Sequence, residues 1–462
     1  MKKFLALFLA LVLVLGLCAC GGSGKKPEGL QAGYAKQTIM PNGSVGLGGY
    51  SNASQRQSTG YLDYVYLSCI AFSEGDDTAL LMTVDMCGLS TSKCNLLRET
   101  VSKATGIPET HITISSSHSH AAPSVGDNEL YDMMFFKTAV AVAEAAIADL
   151  SPATLYAANV EIEGMNFIRH YIQADGSYSS ANLGNFVNEE GVKHAREADN
   201  ELVLLRAERS AEDKKDILLA NWAAHPCYDA SSDSTLITAD YIGAARSYLE
   251  DLANVHFSFI QGGGGDAVTN SLIPGLRHKM ERIEYGETLA QHIIDAIPTM
   301  EKVEGSGIQA TQYDLEFACN HFGADKLQDA QRVMEFYNTN RDHAKKLAKE
   351  LGFYSINHAK GVVNASKNPE KETMPLYALR IGGVGFAAVP AEVFSESSTY
   401  IKDNSPYTYT MFCSLTNGGY SYAPISAAFD YPSYEGFVST FGKGIAEAYC
   451  EQLVTMLKDI QP

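Results

Sequence analysis

The sequence has 462 residues, 45% of them hydrophobic, and its 35 basic and 54 acidic side chains give a formal net charge of −19. A chain of this size and apolar content can bury a large core, and its length allows two or three domains. Because the chain is acidic and has no basic clusters, nucleic-acid binding is excluded from the expected functions.

The first 19 residues have the pattern of a secretory signal peptide. Two lysines precede an apolar segment of about 15 residues, which is too short to cross a membrane comfortably. The segment ends in "LCAC", Leu17 to Cys20, which resembles a bacterial lipoprotein box. We therefore expect an extracytoplasmic lipoprotein, anchored to the bacterial cell membrane through lipidated Cys20, with residues 20–30 as a flexible tether. The alternative is an ordinary signal peptide that leaves Cys20 bare.

Short apolar segments alternate with helical ones along the remaining chain. Strand candidates are "TALLMTVDM", "NELVLLRAE", "ILLANWAAH", "VHFSFIQGG" and "VGFAAVPAE". Helix candidates include "ELYDMMFFKTAVAVAEAAIADL" and "TADYIGAARSYLEDL". This alternation predicts an α/β fold in which mixed β-sheets are covered by helices. No internal boundary is evident, so residues 31–462 are expected to form one domain.

Two later segments are helical in pattern. From about residue 319 to 371 the chain is polar and contains "QRVMEFYNTNRDHAKKLAKEL", which predicts a helical insertion or lid. Near the end, "GIAEAYCEQLVTMLKDI" carries apolar residues at helical spacing and predicts a closing helix packed on the body.

The stretch "ITISSSHSHAAPS" places His118 and His120 at the end of a β-rich run. On a strand, alternate side chains face the same side, so both rings would point the same way. That arrangement suits a metal ion. An isolated His-x-His is also compatible with an ordinary polar loop.

Other strand candidates end in residues that could build a site, because sites in open α/β sheets lie at strand ends. They are Asp85, His225, the run Gly262 to Gly265 with Asp266, Glu392, and the tyrosines Tyr420, Tyr422, Tyr431 and Tyr434. Each has an ordinary alternative: a structural histidine, a tight turn with positive φ in place of an anion cradle, a solvated carboxylate, or aromatic packing. Asp85 would lie near a strand mouth or bond to the backbone.

Several common sequence motifs are absent, which excludes some classes of metal site and of hydrolase. The seven cysteines after Cys20 show no C-x-x-C spacing, so neither a zinc ribbon nor a dense disulfide framework is indicated, and at least one thiol is free. H-E-x-x-H and G-x-S-x-G are both absent, which counts against a zincin and against the usual serine enzyme of the α/β-hydrolase fold.

The order of these residues and their surroundings resembles the neutral, non-lysosomal ceramidase family, zinc amidases that cleave the N-acyl bond of the sphingolipid ceramide. The matching segments are "VGLGGYSN", "TGYLDYVYLSCIAF", "ISSSHSHAAP", "NFIRHY", "NWAAHP", "VPAEVF" and "TNGGYSYAPISAAFDYPSYEGFVSTFG". Together they cover most of the mature chain, and the last segment aligns without a gap. The resemblance implies that residues 31–462 form a ceramidase-type catalytic domain.

Carried over by position, the resemblance implies a zinc ion held by His118, His225, Glu392 and Tyr422. Two imidazoles, a carboxylate and a phenol are ordinary to acceptable zinc donors.

The resemblance also implies four residues with roles in catalysis. Arg169 and Tyr434 would stabilise the oxyanion, and His120 would carry a proton to the leaving amine. Asp266 would orient the attacking water or a ligand histidine.

The sequence departs from the family pattern in two places. Val268, in "GDAVTN", stands where the family carries a serine held to be essential for amide cleavage, which leaves attack by metal-activated water. The family also continues into a C-terminal immunoglobulin-like domain, which we expect this chain to lack.

The sequence thus predicts a zinc-dependent hydrolase that cleaves a carboxamide bond in a lipid or another N-acylated substrate. Ceramide and N-acylated amino sugars are equally compatible with it. The alternative is a surface lipoprotein that binds a ligand on the same fold without turnover, which the loss of the serine favours. Retention of the ligands and of His120, Arg169 and Tyr434 favours the enzyme.

Overall fold

A computed structural model of the protein describes residues 29–50 and 56–462. The expected signal peptide, the lipidation site Cys20 and most of the expected tether lie outside the described residues. Within the described ranges, no helix has both the length and the apolar character needed to cross a membrane.

The strands are numbered in chain order. They are β1 Gln31–Thr38, β2 Gly60–Tyr61, β3 Tyr66–Glu74, β4 Asp77–Val84, β5 Ile112–Ser116, β6 Ser151–Glu161, β7 Phe167–Ile168, β8 His170–Ile172, β9 Tyr178–Ser180, β10 Lys193–His194, β11 Glu201–Arg209, β12 Ile217–Trp222, β13 Leu236–Ile237, β14 His256–Gln261, β15 Ala267–Val268, β16 Glu301–Lys302, β17 Ile308–Ala318, β18 Lys371–Ile381, β19 Val384–Ala388 and β20 Tyr409–Cys413.

The α-helices are numbered in the same way. They are α1 Thr91–Thr105, α2 Glu129–Ala148, α3 Asp240–Leu252, α4 Arg282–Ala296, α5 Ala324–Met334, α6 Arg341–Glu350, α7 Ile356–Ala365, α8 Ser395–Asn404, α9 Tyr434–Val438 and α10 Ile445–Asp459.

The larger sheet has the strand order β14-β12-β11-β6-β1-β3-β4-β5, with β16 paired to β6. The pairs β12/β14 and β4/β5 are parallel and the other pairs in this order are antiparallel, so the sheet is mixed. Alternation along β3 sends Leu67 and Cys69 into a core shared with α1 and α2, and Ile70 and Phe72 into the core on the opposite face.

The second sheet, β17-β18-β19-β20, packs face to face on the larger sheet. Between them, Ile70 and Leu219 of the larger sheet share one core with Leu379 and Phe386 of the smaller sheet. Helices α1 to α4 cover the outer face of the larger sheet, and α8 and α10 cover that of the smaller sheet. These four layers confirm the predicted α/β fold with mixed sheets covered by helices.

Helices α5, α6 and α7 stand between β17 and β18 and have a hydrophobic core of their own, which includes Ala330, Val333, Phe353 and Val362. We call this unit the helical insertion, residues 324–365. It meets the body at α9, where the ring of His358 stacks on that of Phe437.

Asp85 is a structural residue. It follows β4, and its carboxylate accepts the backbone N–H of Tyr66 at 2.8 Å and both guanidinium N–H groups of Arg246 at 2.7 and 2.8 Å. Both side chains are buried. Both expectations for Asp85 are met, because it lies at the end of β4 and its carboxylate bonds to the backbone, and a buried ion pair accompanies this bond.

We expect Asp240→Asn to flatten the dependence of stability on pH. Asp240 opens α3, where its carboxylate accepts the N–H groups of Tyr228 and Tyr241, and burial raises its pKa to about 7. The folded protein therefore holds this proton more tightly than the unfolded chain, whose aspartate pKa is about 4. The contribution of Asp240 to the free energy of unfolding should therefore fall by up to about 1.4 kcal/mol per pH unit as the pH rises from about 4 to 7.

Urea unfolding at pH 5 and pH 8 measures this difference. The matched control is Asp251→Asn, at an exposed position near the end of the same helix. Equal pH slopes in the wild type and Asp240→Asn would contradict the prediction.

Candidate functional site

Three loops at strand ends bring the predicted ligands together. His118 follows β5, His225 follows β12, and Glu392 follows β19. Each of these strands has a parallel neighbour, and the carboxyl ends of parallel strands lie at one edge of a sheet. The two sheets are tied at this edge by a bridge between Ser115 and Thr416.

The expectation that a strand places both histidines on one side is wrong. Strand β5 ends at Ser116, and His118 has a φ of 72°, in the left-handed region that non-glycine residues seldom adopt. The turn is supported by the His118 N–H, which donates to the carbonyl of Met86 at 2.9 Å. The rings still meet, with their Nε2 atoms 3.1 Å apart. A left-handed residue, and not strand alternation, brings His118 and His120 together.

Three buried ligand atoms converge at the centre of the site. The Nε2 atom of His118 lies 3.0 Å from Nε2 of His225 and 3.1 Å from Oε2 of Glu392, and the third separation is 3.5 Å. A tetrahedral zinc site with bonds of about 2.0 Å has ligand-to-ligand edges of about 3.3 Å. The three atoms therefore fit three corners of a zinc site.

Hydrogen bonds on the far side of each imidazole turn its Nε2 lone pair inward. Nδ1–H of His118 donates to the carbonyl of Cys87 at 2.8 Å, and Nδ1–H of His225 donates to that of Gly264 at 2.7 Å. Oε2 of Glu392 is buried and has no hydrogen-bond partner among the described residues. Two lone pairs and a carboxylate oxygen thus face one another, an arrangement that a cation stabilises.

The pKa shifts of the clustered side chains also indicate that a positive charge is stabilised at this site. Burial lowers the pKa of His118, but the Glu392 carboxylate and Cys87 together outweigh burial and raise it well above its ordinary value. Burial raises the pKa of Glu392, but His118, Tyr422 and Arg169 together outweigh burial, so the net shift is downward. Burial lowers the pKa of His225 and of His120 well below the ordinary value. The cluster thus favours one positive charge, which a metal ion would supply in place of the His118 proton.

Tyr422 joins the cluster from the tyrosine-rich segment. It pairs with Glu392 in an isolated parallel bridge, and its buried hydroxyl accepts a hydrogen bond from Nη2 of Arg169 at 3.1 Å. Burial raises the pKa of Tyr422 well above its ordinary value, and the Glu392 charge adds to this.

His120 and Tyr434 border the cluster. Nε2 of His120 faces Nε2 of His118, and its Nδ1 atom is buried without a hydrogen-bond partner among the described residues. The ring of Tyr434 stands edge-on to that of Tyr422, with centroids 5.8 Å apart. Both side chains therefore border the space where a substrate would meet the cluster.

Asp266 does not contact a ligand histidine directly, which corrects one of the two roles expected for it. Its oxygens accept the backbone N–H of Ser395 at 2.9 Å and the guanidinium of Arg196 at 3.1 Å. The hydrogen bond that orients His225 goes to the carbonyl of Gly264 and not to Asp266. The physical reason is that the turn after β14 presents a backbone carbonyl, and not this carboxylate, to the imidazole.

Asp266 reaches the cluster through a chain of buried polar groups that the sequence analysis missed. Arg196 also contacts Nδ1 of His170 at 3.0 Å, and Nε2 of His170 contacts the Glu435 carboxylate at 2.9 Å. Glu435 in turn accepts from Nε and Nη2 of Arg169, at 2.8 and 2.6 Å. The segments "NFIRHY" and "YEG" contain Arg169, His170 and Glu435, but only the fold shows that these charged groups are buried and paired.

Cys87 offers a second grouping around the same histidine. Its Sγ atom lies 3.7 Å from Nδ1 of His118, and Cys87, His118 and His120 also have ligand atoms close to one another. The seven described cysteines, Cys87 among them, are free thiols. Both potential ligand groups share His118.

The glycine run is needed for close packing and not for a left-handed turn. None of Gly262 to Gly265 has a positive φ, so the tight-turn alternative is wrong. A Cβ atom on Gly265 would come within 2.8 Å of the carbonyl oxygen of Val393 and 3.1 Å of the carbonyl carbon of Glu392. The run therefore allows the loop after β14 to pass directly beneath Glu392, a predicted metal ligand.

We expect Gly265→Ala to weaken zinc binding about 10- to 100-fold, the range found when a group that supports a ligand is changed. The added methyl group would push the backbone of Glu392 out of line with the histidines. Gly275→Ala is the matched control, because no atom lies within 4 Å of its added Cβ. Competition with a chromogenic zinc chelator measures both affinities, and equal values would contradict the prediction.

The fold places the chain beside one class of proteins: it is similar in structure to the neutral ceramidases, and the expected ceramidase-type fold is confirmed. The neutral ceramidase from Pseudomonas aeruginosa matches with a TM-score of 0.69 and 14% sequence identity, over 94% of this chain and 74% of its own. A ceramidase complexed with C2 matches with a TM-score of 0.70 and 15% identity, over 94% of this chain and 76% of its own. No protein-family model matches the sequence, and a search of curated proteins finds no match.

Proposed function

We propose that the protein is a zinc-dependent hydrolase of the ceramidase type that cleaves a carboxamide bond of an N-acylated substrate. The observation that carries this proposal is the cluster of His118, His225 and Glu392, where three buried ligand atoms lie within 3.5 Å of one another. The fold shared with ceramidases supports the same class of reaction.

His118, His225, Glu392 and Tyr422 would hold the metal. A bound zinc ion would supply a Lewis acid that activates water for attack on a carbonyl. Arg169, fixed by Glu435, keeps its positive charge beside the Tyr422 hydroxyl.

The chain's other residues would handle charge and protons around the scissile bond. The charge of Arg169 and the hydroxyl of Tyr434 stabilise the oxyanion as the carbonyl is attacked. His120 has an unpartnered ring nitrogen next to the cluster and would hold the proton destined for the leaving amine. Asp266 acts through Arg196 and His170, and so it is a positioning residue.

Metal analysis and amine release from purified residues 21–462 test the proposal. We expect about one zinc per chain, loss of turnover after chelation, and recovery on adding zinc back. The substrate panel contains a short-chain ceramide and N-acetylated amino sugars. A protein that keeps no zinc after reconstitution, or that releases no amine from any N-acyl compound, would refute the hydrolase.

One observation favours a second function, a ligand-binding protein without turnover. Val268 occupies the position of the family serine, and its backbone forms a bridge with that of His225. No hydroxyl is therefore offered from this position. Zinc binding without amine release would support this alternative.

We further propose that the protein is a lipoprotein attached to the outer side of the bacterial cell membrane through Cys20. The sequence from Leu17 to Cys20 supports this. Labelling with a radioactive fatty acid in the native bacterium tests it. The label should appear in the wild type and be absent from Cys20→Ser.

A further inference from the structure

A cavity of about 450 Å³ adjoins the candidate metal centre. Tyr434 and Tyr50 both line it. The ring of Tyr50 stands edge-on to that of His120, with centroids 5.2 Å apart, and Tyr434 packs on the ligand Tyr422. A molecule bound in this cavity would therefore touch the residues that border the cluster.

The walls of the cavity are polar. Nine of its thirteen lining residues carry a hydroxyl, an amide or an ammonium group: Tyr50, Asn357, Lys360, Asn364, Asn368, Ser421, Tyr434, Ser439 and Thr440. The other four are glycines, an alanine and a valine. An acyl chain in this space would strip water from these groups without replacing their hydrogen bonds, which is unfavourable.

The helical insertion supplies one complete wall. Asn357, Lys360 and Asn364 lie three and four residues apart on α7, so they share one face of the helix. Within the described part of the chain, the amides of Asn357 and Asn364 have no side-chain hydrogen bond. No described carboxylate lies within 4 Å of Lys360 Nζ, which stands over the ring of Tyr337, 5.5 Å from its centroid. These donors are free to bind a ligand.

The wall is held in a fixed position relative to Tyr434. The rings of His358, on α7, and Phe437, on α9, stack with centroids 3.6 Å apart and an interplanar angle of 6°. A Cβ atom on Gly361 would lie only 2.4 Å from the carbonyl oxygen of Phe437, so α7 and α9 are in direct backbone contact. Because α9 begins with Tyr434, the free donors and the catalytic phenol form one rigid surface.

We infer that the substrate is a hydrophilic N-acyl compound, rich in hydroxyl groups and carrying a negative charge that Lys360 binds, as in an acidic N-acylated amino sugar. This inference rests on the proposed amide hydrolysis for its catalytic part. The asparagines and hydroxyls suit a sugar ring, and an unpaired lysine in a protein of net charge −19 suits an anionic group. A long-chain lipid amide suits neither.

The experiment compares N-acetylglucosamine 6-phosphate, neutral N-acetylglucosamine and a short-chain ceramide as substrates for residues 21–462. Lys360→Gln removes the charge from the cavity, and Lys345→Gln removes an exposed charge from α6 of the same insertion as a matched control. We expect kcat/KM for the phosphorylated sugar to fall about tenfold in Lys360→Gln, the size expected for one lost charge-assisted hydrogen bond. It should stay unchanged in Lys345→Gln, and the neutral sugar should lose less in Lys360→Gln than the phosphorylated sugar does.

Faster turnover of ceramide than of either sugar would overturn the inference and leave the hydrolase intact. Equal kcat/KM in Lys360→Gln and the wild type would overturn it as well. Calorimetric titration with N-acetylglucosamine 6-phosphate separates it from the proposed function. Binding that depends on Lys360, with no amide cleaved, would support the polar cavity and refute the hydrolase, whereas no binding by the wild type would refute the cavity.

Discussion

His118→Ala should leave the protein without zinc and lower amide turnover about a thousandfold or more, as expected when an essential group is lost. His118 holds the central position, because its Nε2 atom is within 3.1 Å of ring nitrogens of His225 and His120 and of the Glu392 carboxylate. Elemental analysis of the purified variant and amine release measure the two effects. Zinc retained at about one per chain would contradict the assignment.

Two further variants identify the ligand set. His225 belongs only to the group that contains Glu392, and Cys87 belongs only to the group that contains His120. His225→Ala and Cys87→Ser therefore each disrupt one group and leave the other complete. We expect zinc to be lost in His225→Ala and kept in Cys87→Ser. The reverse result would place the metal between Cys87, His118 and His120. His321→Ala, at an exposed histidine, is the control for the loss of an imidazole.

Glu435→Gln should cost about 3–5 kcal/mol of folding free energy, the range for breaking a buried ion pair by changing one partner. Glu435 is completely buried, and its two oxygens hold Arg169 and His170. An amide has one acceptor oxygen for these two donors, and it leaves the Arg169 charge unpaired. Urea unfolding measures the loss, and Glu451→Gln, exposed on α10, is the matched control.

The same variant should change the response to acid. Burial raises the pKa of Glu435, but His170 and Arg169 outweigh burial and lower it to about 2. A carboxyl group with a lowered pKa stabilises the fold above its unfolded pKa of about 4.3, and this contribution is lost as the pH falls towards about 2. The wild type should therefore lose more stability between pH 5 and pH 3 than Glu435→Gln does. Parallel curves for the two proteins would show that Glu435 is not ionised in the fold.

The layered fold was predictable because it depends on repeating patterns. The short apolar run in "TALLMTVDM" and the long apolar run of α2 are local properties, and both elements form where these patterns predict them. The face-to-face contact of the two sheets was not predictable, since it joins residues as distant as Ile70 and Phe386. No local pattern specifies such a pairing.

The candidate site was predictable as a set of residue types at strand ends. Its backbone geometry and its hydrogen-bond network were not. The left-handed φ of His118 has no signal in "SSSHSHAAP", because the segment has no glycine, the residue that usually marks that conformation. The link from Asp266 through Arg196 and His170 to Glu435 joins four separate segments of the chain. Glu435 pairs with Arg169 and His170 inside the protein, and its burial there becomes known only from the folded structure.

Because the helical insertion has its own hydrophobic core, the wall of the cavity and the candidate metal centre are supported by different parts of the structure. The loops of the candidate metal centre depend on the sheets, whereas the wall formed by α7 depends on the insertion's own core and on its contact with Phe437. We therefore expect that residues 324–365 can be exchanged or redesigned as a unit, provided that Gly361 and His358 are kept. Such an exchange would replace one wall of the cavity and leave the candidate metal centre unchanged.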